Sequence, residues 1–294
     1  MAGTLTHPYN DIGNLWLRGS FHGHCSENSR CASLPLRDSV QWYQEAGADF
    51  LGLTDHDAIT ALDEMRRMYP DIILLEGFEY SSCENLLFVG EKAEPLYELP
   101  LGEALECRGD DLLSMVCHPT PRVEGPEYWS LEKMTELGCW PDGIEIYNGH
   151  YGTETGRANG RQPLGTGLWD EALTAGHRLW GYANDDSHDP EDLGNAWNMV
   201  AVEERTEAAV IRAARAGRCY GTTGLLLQGI DVDGAHLDIR LSAPARGRFI
   251  GSGGAVLKEA VDDSFEYTMA MEGYVRFEAE GDSGRIFLQP LFSQ

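Results

Sequence analysis

The sequence predicts an α/β fold built on a largely parallel sheet, with a small antiparallel β segment after residue 222. Three observations carry this. Short apolar runs of strand length alternate with stretches of helical periodicity from residue 16 to residue 216. Nearly every such run ends in a cluster of His, Asp or Glu, as expected where strand ends converge on one site. Beyond residue 222 the period changes to strict apolar-polar alternation broken by glycine turns. Parallel pairing requires crossover connections, and the helical stretches supply them.

In order, residues 16–21 form a first strand that ends at His22-Gly23-His24. Residues 35–46, opened by Pro35 and closed by Gly47, carry Leu36, Val40, Tyr43 and Ala46 at helical spacing. A strand over 49–54 delivers Asp55-His56-Asp57, and a helix over 58–69 stops at Pro70. The strand 72–75 is followed by a turn at Glu76-Gly77-Phe78 and then by Glu79. Strands are expected over 85–89 and 112–117, the second halted by His118-Pro119. Ser130 caps a helix running to Leu137, and the strand 143–147 leads to Asn148-Gly149. A glycine-rich loop over 150–167 precedes a helix over 168–175. The strand 178–183 runs into Asn184-Asp185-Asp186-Ser187-His188, and a strand over 196–202 and an alanine-rich helix over 206–216 complete the series. Alternating segments over 229–234, 236–242, 265–271 and 274–280 then form hairpins, with turns at Asp233-Gly234, Gly253-Gly254 and Glu272-Gly273. The expected organisation is a domain over 1–222 and a small β domain over 223–294, with packing, capping or oligomerisation as the work of the second and no metal cluster in it.

The chain has 294 residues and a formal charge of -26, from 48 acidic against 22 basic residues, with lysine only at Lys92, Lys133 and Lys258. Such a surface repels polyanions, which argues against extended nucleic acid and anionic membranes as partners. The first thirty residues lack an apolar signal-peptide core, and no window reaches the ~18 apolar residues of a membrane span. Seven cysteines without a CxxC pair argue against a disulfide framework, so a soluble, cytoplasmic protein with free thiols is expected.

His22 and His24 at i and i+2 project to the same side of an extended chain and form a two-point claw for a metal ion. Asp55-His56, Glu79, His118 and Asp186-Ser187-His188 add the imidazole and carboxylate donors that zinc, iron and manganese accept. Asp55 is read either as a ligand or as the group that orients His56. Asn148 and Asn184 stand between ligand, substrate contact and turn residue. His7, His150, His177 and His236 are read as ordinary polar residues, and Cys25 and Cys117 as packing thiols rather than nucleophiles.

Taken in order, His22-Gly23-His24, Leu53-Thr54-Asp55-His56-Asp57, Gly77-Phe78-Glu79, Cys117-His118-Pro119 and Asp186-Ser187-His188 resemble the PHP superfamily, named for polymerase and histidinol phosphatase. The resemblance covers residues 15–222. Trp16-Leu17-Arg18-Gly19, Ile144-Glu145-Ile146-Tyr147-Asn148-Gly149 and Trp169-Asp170 look like its carbaryl-hydrolase-like branch. It implies a distorted (βα)7 barrel holding two or three divalent ions (Mn, Zn or Fe) and hydrolysing phosphate esters. By position it implies metal ligands at His22, His24, Asp55, His56, Glu79, His118, Asp186 and His188, with Glu79 bridging. The chain departs from the family at Ser20, Cys25 and Ser26-Glu27-Asn28-Ser29, which leaves a ligand from that loop open.

The mechanism expected is attack of a metal-activated water on a small phosphate ester, monoester or nucleotide-derived. His188 or His56 is the proton donor and Glu79 the central carboxylate, while Arg18, Arg157 or Arg161, with Asn148, contact the substrate. A carbamate, ester or amide hydrolase on the same metals and a non-catalytic, metal-stabilised domain are the competing readings.

Overall fold

The computed structural model describes residues 5–10, 12–13, 15–125, 128–270 and 273–293. The chain opens with β1 (Leu5–Thr6), β2 (Leu15–Ser20), α1 (Leu36–Glu45), β3 (Phe50–Leu53), α2 (Asp63–Met68), β4 (Ile73–Tyr80) and β5 (Leu86–Val89). It continues with α3 (Leu101–Cys107), β6 (Leu113–Val116), α4 (Leu131–Glu136), β7 (Gly143–Asn148), α5 (Gly149–Gly152), α6 (Glu154–Ala158), α7 (Thr166–Thr174) and β8 (Trp180–Asn184). Then come β9 (Trp197–Val202), α8 (Glu207–Arg215), β10 (Cys219–Thr222), β11 (Leu227–Asp233), β12 (His236–Gly251), β13 (Ala255–Thr268), β14 (Tyr274–Gly281), β15 (Gly284–Leu288) and β16 (Leu291–Ser293).

The sheet is mixed rather than wholly parallel. Its hydrogen-bonded order is β1-β16-β14-β15-β10-β9-β2-β3-β4-β5-β6-β7-β8. Two parallel blocks, β2-β3-β4 and β6-β7-β8, are joined by the antiparallel strand β5. No continuous ladder closes this sheet into a barrel among the described residues. Where β8 returns to β2, the pairing reduces to a single parallel bridge, Gly23 to Ser187, with His24 N donating to Ser187 O at 2.9 Å. That one contact brings the first and last ligand motifs side by side. One apolar core joins Leu17, Phe21, Phe50, Leu75, Met115 and Tyr182, on or next to several strands, with Val210 and Ala214 from α8.

Three predicted elements differ, and the first, the helix expected over 58–69, is confined to Asp63–Met68. Glu76-Gly77-Phe78 is not a turn: β4 runs through it, and a Cβ on Gly77 would stand 2.5 Å from Phe88 O, so the glycine allows strand approach. The glycine-rich loop holds the short helices α5 and α6, each N-capped by a side chain, Asn148 onto Tyr151 N and Thr153 onto Gly156 N. The chain after residue 222 is antiparallel and extends the main sheet through β10 and β15. Its Leu237, Ile239, Phe249, Phe265, Phe277 and Ile286 form one core with Leu5, Tyr9 and Tyr220 from the earlier part of the chain. Met271 and Glu272, expected at a strand end and a turn, lie outside the described residues. No described helix is long and apolar enough to cross a membrane.

Candidate metal centre

The segment 22–24 is held extended between two strand ends. Thr54 N donates to Gly23 O at 2.8 Å on one side, and Asp186 N donates to His22 O at 3.2 Å on the other. A Cβ at Gly23 would approach Ser187 Oγ to 2.9 Å, so only glycine passes here. Flanked in this way, the two imidazoles face each other with Nε2 atoms 3.2 Å apart. Asp57, His118 and Asp186, all at this end of the sheet, hold φ of 47°, 25° and 52°, an uncommon region for side-chain-bearing residues. Strain of this kind persists where surrounding contacts fix it, and functional sites are where it collects.

Four donors converge on one point. Asp186 Oδ1 lies 3.0 Å from His22 Nε2 and 3.1 Å from His24 Nε2, and Glu79 Oε2 lies 3.4 and 3.3 Å from the same nitrogens. All four residues are buried. Donors at the corners of a tetrahedron with bonds of about 2.0–2.1 Å stand about 3.3–3.4 Å apart, close to these separations. Glu79 Oε2 is moreover buried with no hydrogen bond. An orphaned carboxylate oxygen amid three imidazoles fits a divalent ion and is costly without one. A second set, His24, His56 and His188, also brings its donor atoms within 4.8 Å of one another. Glu79 faces both sets, with Oε2 3.0 Å from His56 Nδ1 and Oε1 3.0 Å from His118 Nε2.

Without a metal, the charges balance through protons. Burial lowers the His22 pKa, but Asp186, Glu79 and Glu145 overcome it and raise it well above the usual value. Burial likewise opposes protonation of His56 and His188, yet contacts with Cys31 and Glu79 raise the first to about 10, and Asp186 with Cys31 raises the second to about 9. Glu79 and Asp186 remain ionised despite burial because these imidazoles surround them.

Several side chains work one layer out. Glu145 Oε1 lies 3.1 Å from His22 Nδ1 and accepts from Asn184 Nδ2, while its Oε2 accepts from His118 N and Asn148 Nδ2. That contact leaves His22 Nε2 free to face the nest. The sequence reading passed over Glu145, although a carboxylate at the centre of an apolar strand was the signal. Asp55, expected as a ligand or as the group that orients His56, is instead engaged by Cys25 and Ser29 of the segment after the His pair and by Thr60. It accepts from Cys25 N and Sγ, from Thr60 Oγ1, and from Ser29 Oγ at 2.5 Å, and Ser29 Oγ lies 3.2 Å from His24 Nδ1. Asp55 thus acts on His24 through Ser29.

Of the expected substrate contacts, Arg18 is elsewhere. Its guanidinium lies 4.0 Å above Trp197 and donates to Ala46 O. Arg157 is exposed and is not among the residues lining the cavity. Asn148 donates to Glu145 and Asp186 and accepts from Tyr151 N, so its amide orients ligands rather than facing open space. The cavity over the centre, about 510 Å³, is lined by His56, Glu79, His118, Asp186 and His188. Its wall also holds Tyr128, Tyr151, Asn85, Arg122 and Cys31, none of them expected at the site, together with His150 and the expected Arg161. His150, read as an ordinary polar residue, places Nδ1 2.9 Å from Asp192 Oδ1. Asn85 donates to Glu79 Oε1 at 2.6 Å.

Far from this centre, His236, Asp238 and Glu266 also gather within 4.8 Å in the C-terminal segment, where no such cluster was expected. They are half-buried or exposed, as solvated surface groups commonly are. All seven cysteines are free thiols.

Comparison with known proteins agrees with this architecture. A family model described as PHP-associated matches residues 175–219. No curated protein matches the chain. Among solved structures, a two-domain protein from Bacteroides vulgatus containing a predicted PHP-like metal-dependent phosphoesterase superposes with a TM-score of 0.59 at 15% identity, over 99% of both chains. Two others are less alike. A protein from Bifidobacterium adolescentis described as a metal-dependent phosphoesterase gives a TM-score of 0.41 at 12% identity, over 58% of this chain and 87% of its own. An amidohydrolase from Chromobacterium violaceum gives 0.40 at 14% identity, over 68% and 96%. The chain therefore shares the fold of the two-domain Bacteroides vulgatus protein over nearly all of its length.

Proposed function

We propose that the chain is a metal-dependent hydrolase of small phosphate esters, acting in the cytoplasm and not on extended nucleic acid. The observation that carries this is the buried convergence of His22, His24, Glu79 and Asp186 at separations of 3.0–3.4 Å beneath an open cavity. When bound, divalent ions at such a centre supply an activated water and charge compensation for phosphoryl oxygens. His22, His24, Glu79 and Asp186 would hold one ion, and His56 and His188 a second, with His118 beside Glu79.

The chain's own residues do the rest. Glu145 and the Asp55-Ser29 pair fix the His22 and His24 rings. His150 lines the cavity with Nδ1 engaged by Asp192, and although burial opposes it, Asp192 and Asp186 raise its pKa; in the imidazolium form its Nε2–H would serve a leaving alkoxide, a contribution of about 10²- to 10⁴-fold. This assigns His150 the donor role first given to His188 or His56, both committed to the second donor set. Tyr128 and Tyr151 add two aromatic side chains to the cavity wall.

The test is a panel of phosphomonoester, phosphodiester and aryl-carbamate chromogenic substrates on Mn-, Zn- and Fe-loaded protein. Turnover of the phosphate esters, lost in Glu79→Gln together with metal, supports the proposal. Turnover of the carbamate alone moves the activity to carbonyl chemistry. No turnover, with metal raising only the melting temperature, leaves a stabilising role.

A further inference from the structure

Beside the metal cavity lies a second chamber of about 410 Å³, lined by Thr153, Thr155, Asn159 and Glu191. The two spaces share Arg122, His150 and Arg161 as their common wall. Arg122 and Arg161 are directly opposite each other in an antiparallel bridge. Val123 N donating to Gly160 O at 3.1 Å and Gln162 N donating to Pro121 O at 3.2 Å lace the two loops together on either side. Side chains directly opposite across such a pair share a face, and like charges placed there repel.

In a chain with 48 acidic residues against 22 basic, about half of the arginines have a carboxylate partner. Arg66, Arg108, Arg205, Arg215, Arg276 and Arg285 all have one. Arg122 and Arg161 form no ion pair among the described residues. Glu191, the carboxylate of this chamber, accepts instead from Thr155 Oγ1. Arg161 is held by stacking, its guanidinium carbon 4.7 Å from the Tyr151 ring centroid, and that ring stands 5.3 Å from the ring of His118. Arg122, exposed, and Arg161, half-buried, each line both chambers without a carboxylate partner, which leaves a place for an anion, and the fork of a guanidinium suits phosphate.

We propose that this second chamber is an anion subsite and that the substrate carries a phosphate group there in addition to the ester presented to the metal centre. The substrate class is therefore a small bisphosphorylated molecule, a refinement that rests on the phosphoesterase reading. Arg122 and Arg161 set specificity by holding the phosphate that is not cleaved.

Phosphonates test this without turnover. Calorimetric Kd values on Mn-loaded, full-length protein are compared for propylphosphonate and for alkane-α,ω-bisphosphonates from ethane to pentane. At least one bisphosphonate should bind about tenfold or more tightly than propylphosphonate. In Arg122→Gln/Arg161→Gln that advantage should shrink to about twofold or less, because the metal-centre contribution cancels in the ratio. Equal affinities in the unaltered protein, or an advantage that survives in the double variant, overturn the subsite. The ratio is read in binding, so failure to hydrolyse any phosphate ester would remove the hydrolase reading and leave this result standing.

Discussion

Glu145 shows how the centre depends on residues that touch no substrate. Its two oxygens serve His22 Nδ1, His118 N, Asn148 and Asn184, all buried, so one carboxylate positions a ligand ring and the strand end that carries His118. Glu145→Gln should keep the fold and lower metal affinity by about 10- to 100-fold, read by competition with a chromophoric chelator. Unchanged affinity would remove it from the positioning shell. Protonation makes a second prediction. In the metal-free protein His56 is raised from 6.5 to about 10 and His188 from 6.5 to about 9. A folded pKa above the unfolded one contributes stability that is fully present below pH 6.5 and disappears as pH climbs through 9 to 10. The denaturant midpoint of chelator-treated protein should fall across that window, and metal uptake at neutral pH should release protons into the buffer. A midpoint that rises over the same range would contradict the assignment.

At the level of elements, apolar runs and their polar endings were legible because a buried strand must be apolar and its end is where a polar group can face a cavity. Strand direction was not: Leu86–Val89 reads the same whether it runs parallel or antiparallel, and it proved to be the antiparallel link between two parallel blocks. Glycine misled for a related reason. Gly77 suggested a turn, while its role is to let β4 and β5 come together. Gly52 is the same kind of residue on β3, where a Cβ would stand 2.4 Å from Phe21 O. Gly52→Ala must push apart the strand ends bearing His22 and His56, so it should cost about 1–3 kcal/mol and weaken metal binding as well. Denaturant melts with and without metal check both parts. A variant of normal stability and affinity would show that the backbones yield at this point.

Across the whole molecule, the candidate site was more legible than the way the tail is attached. The ligand motifs are recognisable by residue type and order although they run from His22 to His188, whereas the residues that tie β14 to α7 carry no such motif. Arg276 is buried on β14 and donates to both oxygens of Asp170 on α7, at 2.8 and 2.6 Å, while Tyr274 Oη donates to the first of them. Gln289 adds a paired contact, its amide donating to Gly181 O and accepting from Gly181 N, each at 2.8 Å, which occupies β8 where no ladder strand follows. Trp169-Asp170 in the sequence gave no hint that its carboxylate serves the tail. Removing it in Asp170→Ala leaves the buried guanidinium with Glu278 as its carboxylate partner, at 2.7 Å, and strips its other two hydrogen bonds, which should destabilise the protein by about 1–3 kcal/mol, whereas Asp170→Ala/Arg276→Met should recover part of the loss. Equal melting temperatures for Asp170→Ala and the unaltered protein would mean that solvent reaches Arg276.

The nest itself is tested most directly by anomalous diffraction at the metal absorption edge from crystals of Mn- or Zn-loaded protein. The account predicts a peak enclosed by His22, His24, Glu79 and Asp186, with a second beside His56 and His188. Metal-saturated crystals whose peaks all lie away from these residues would contradict it.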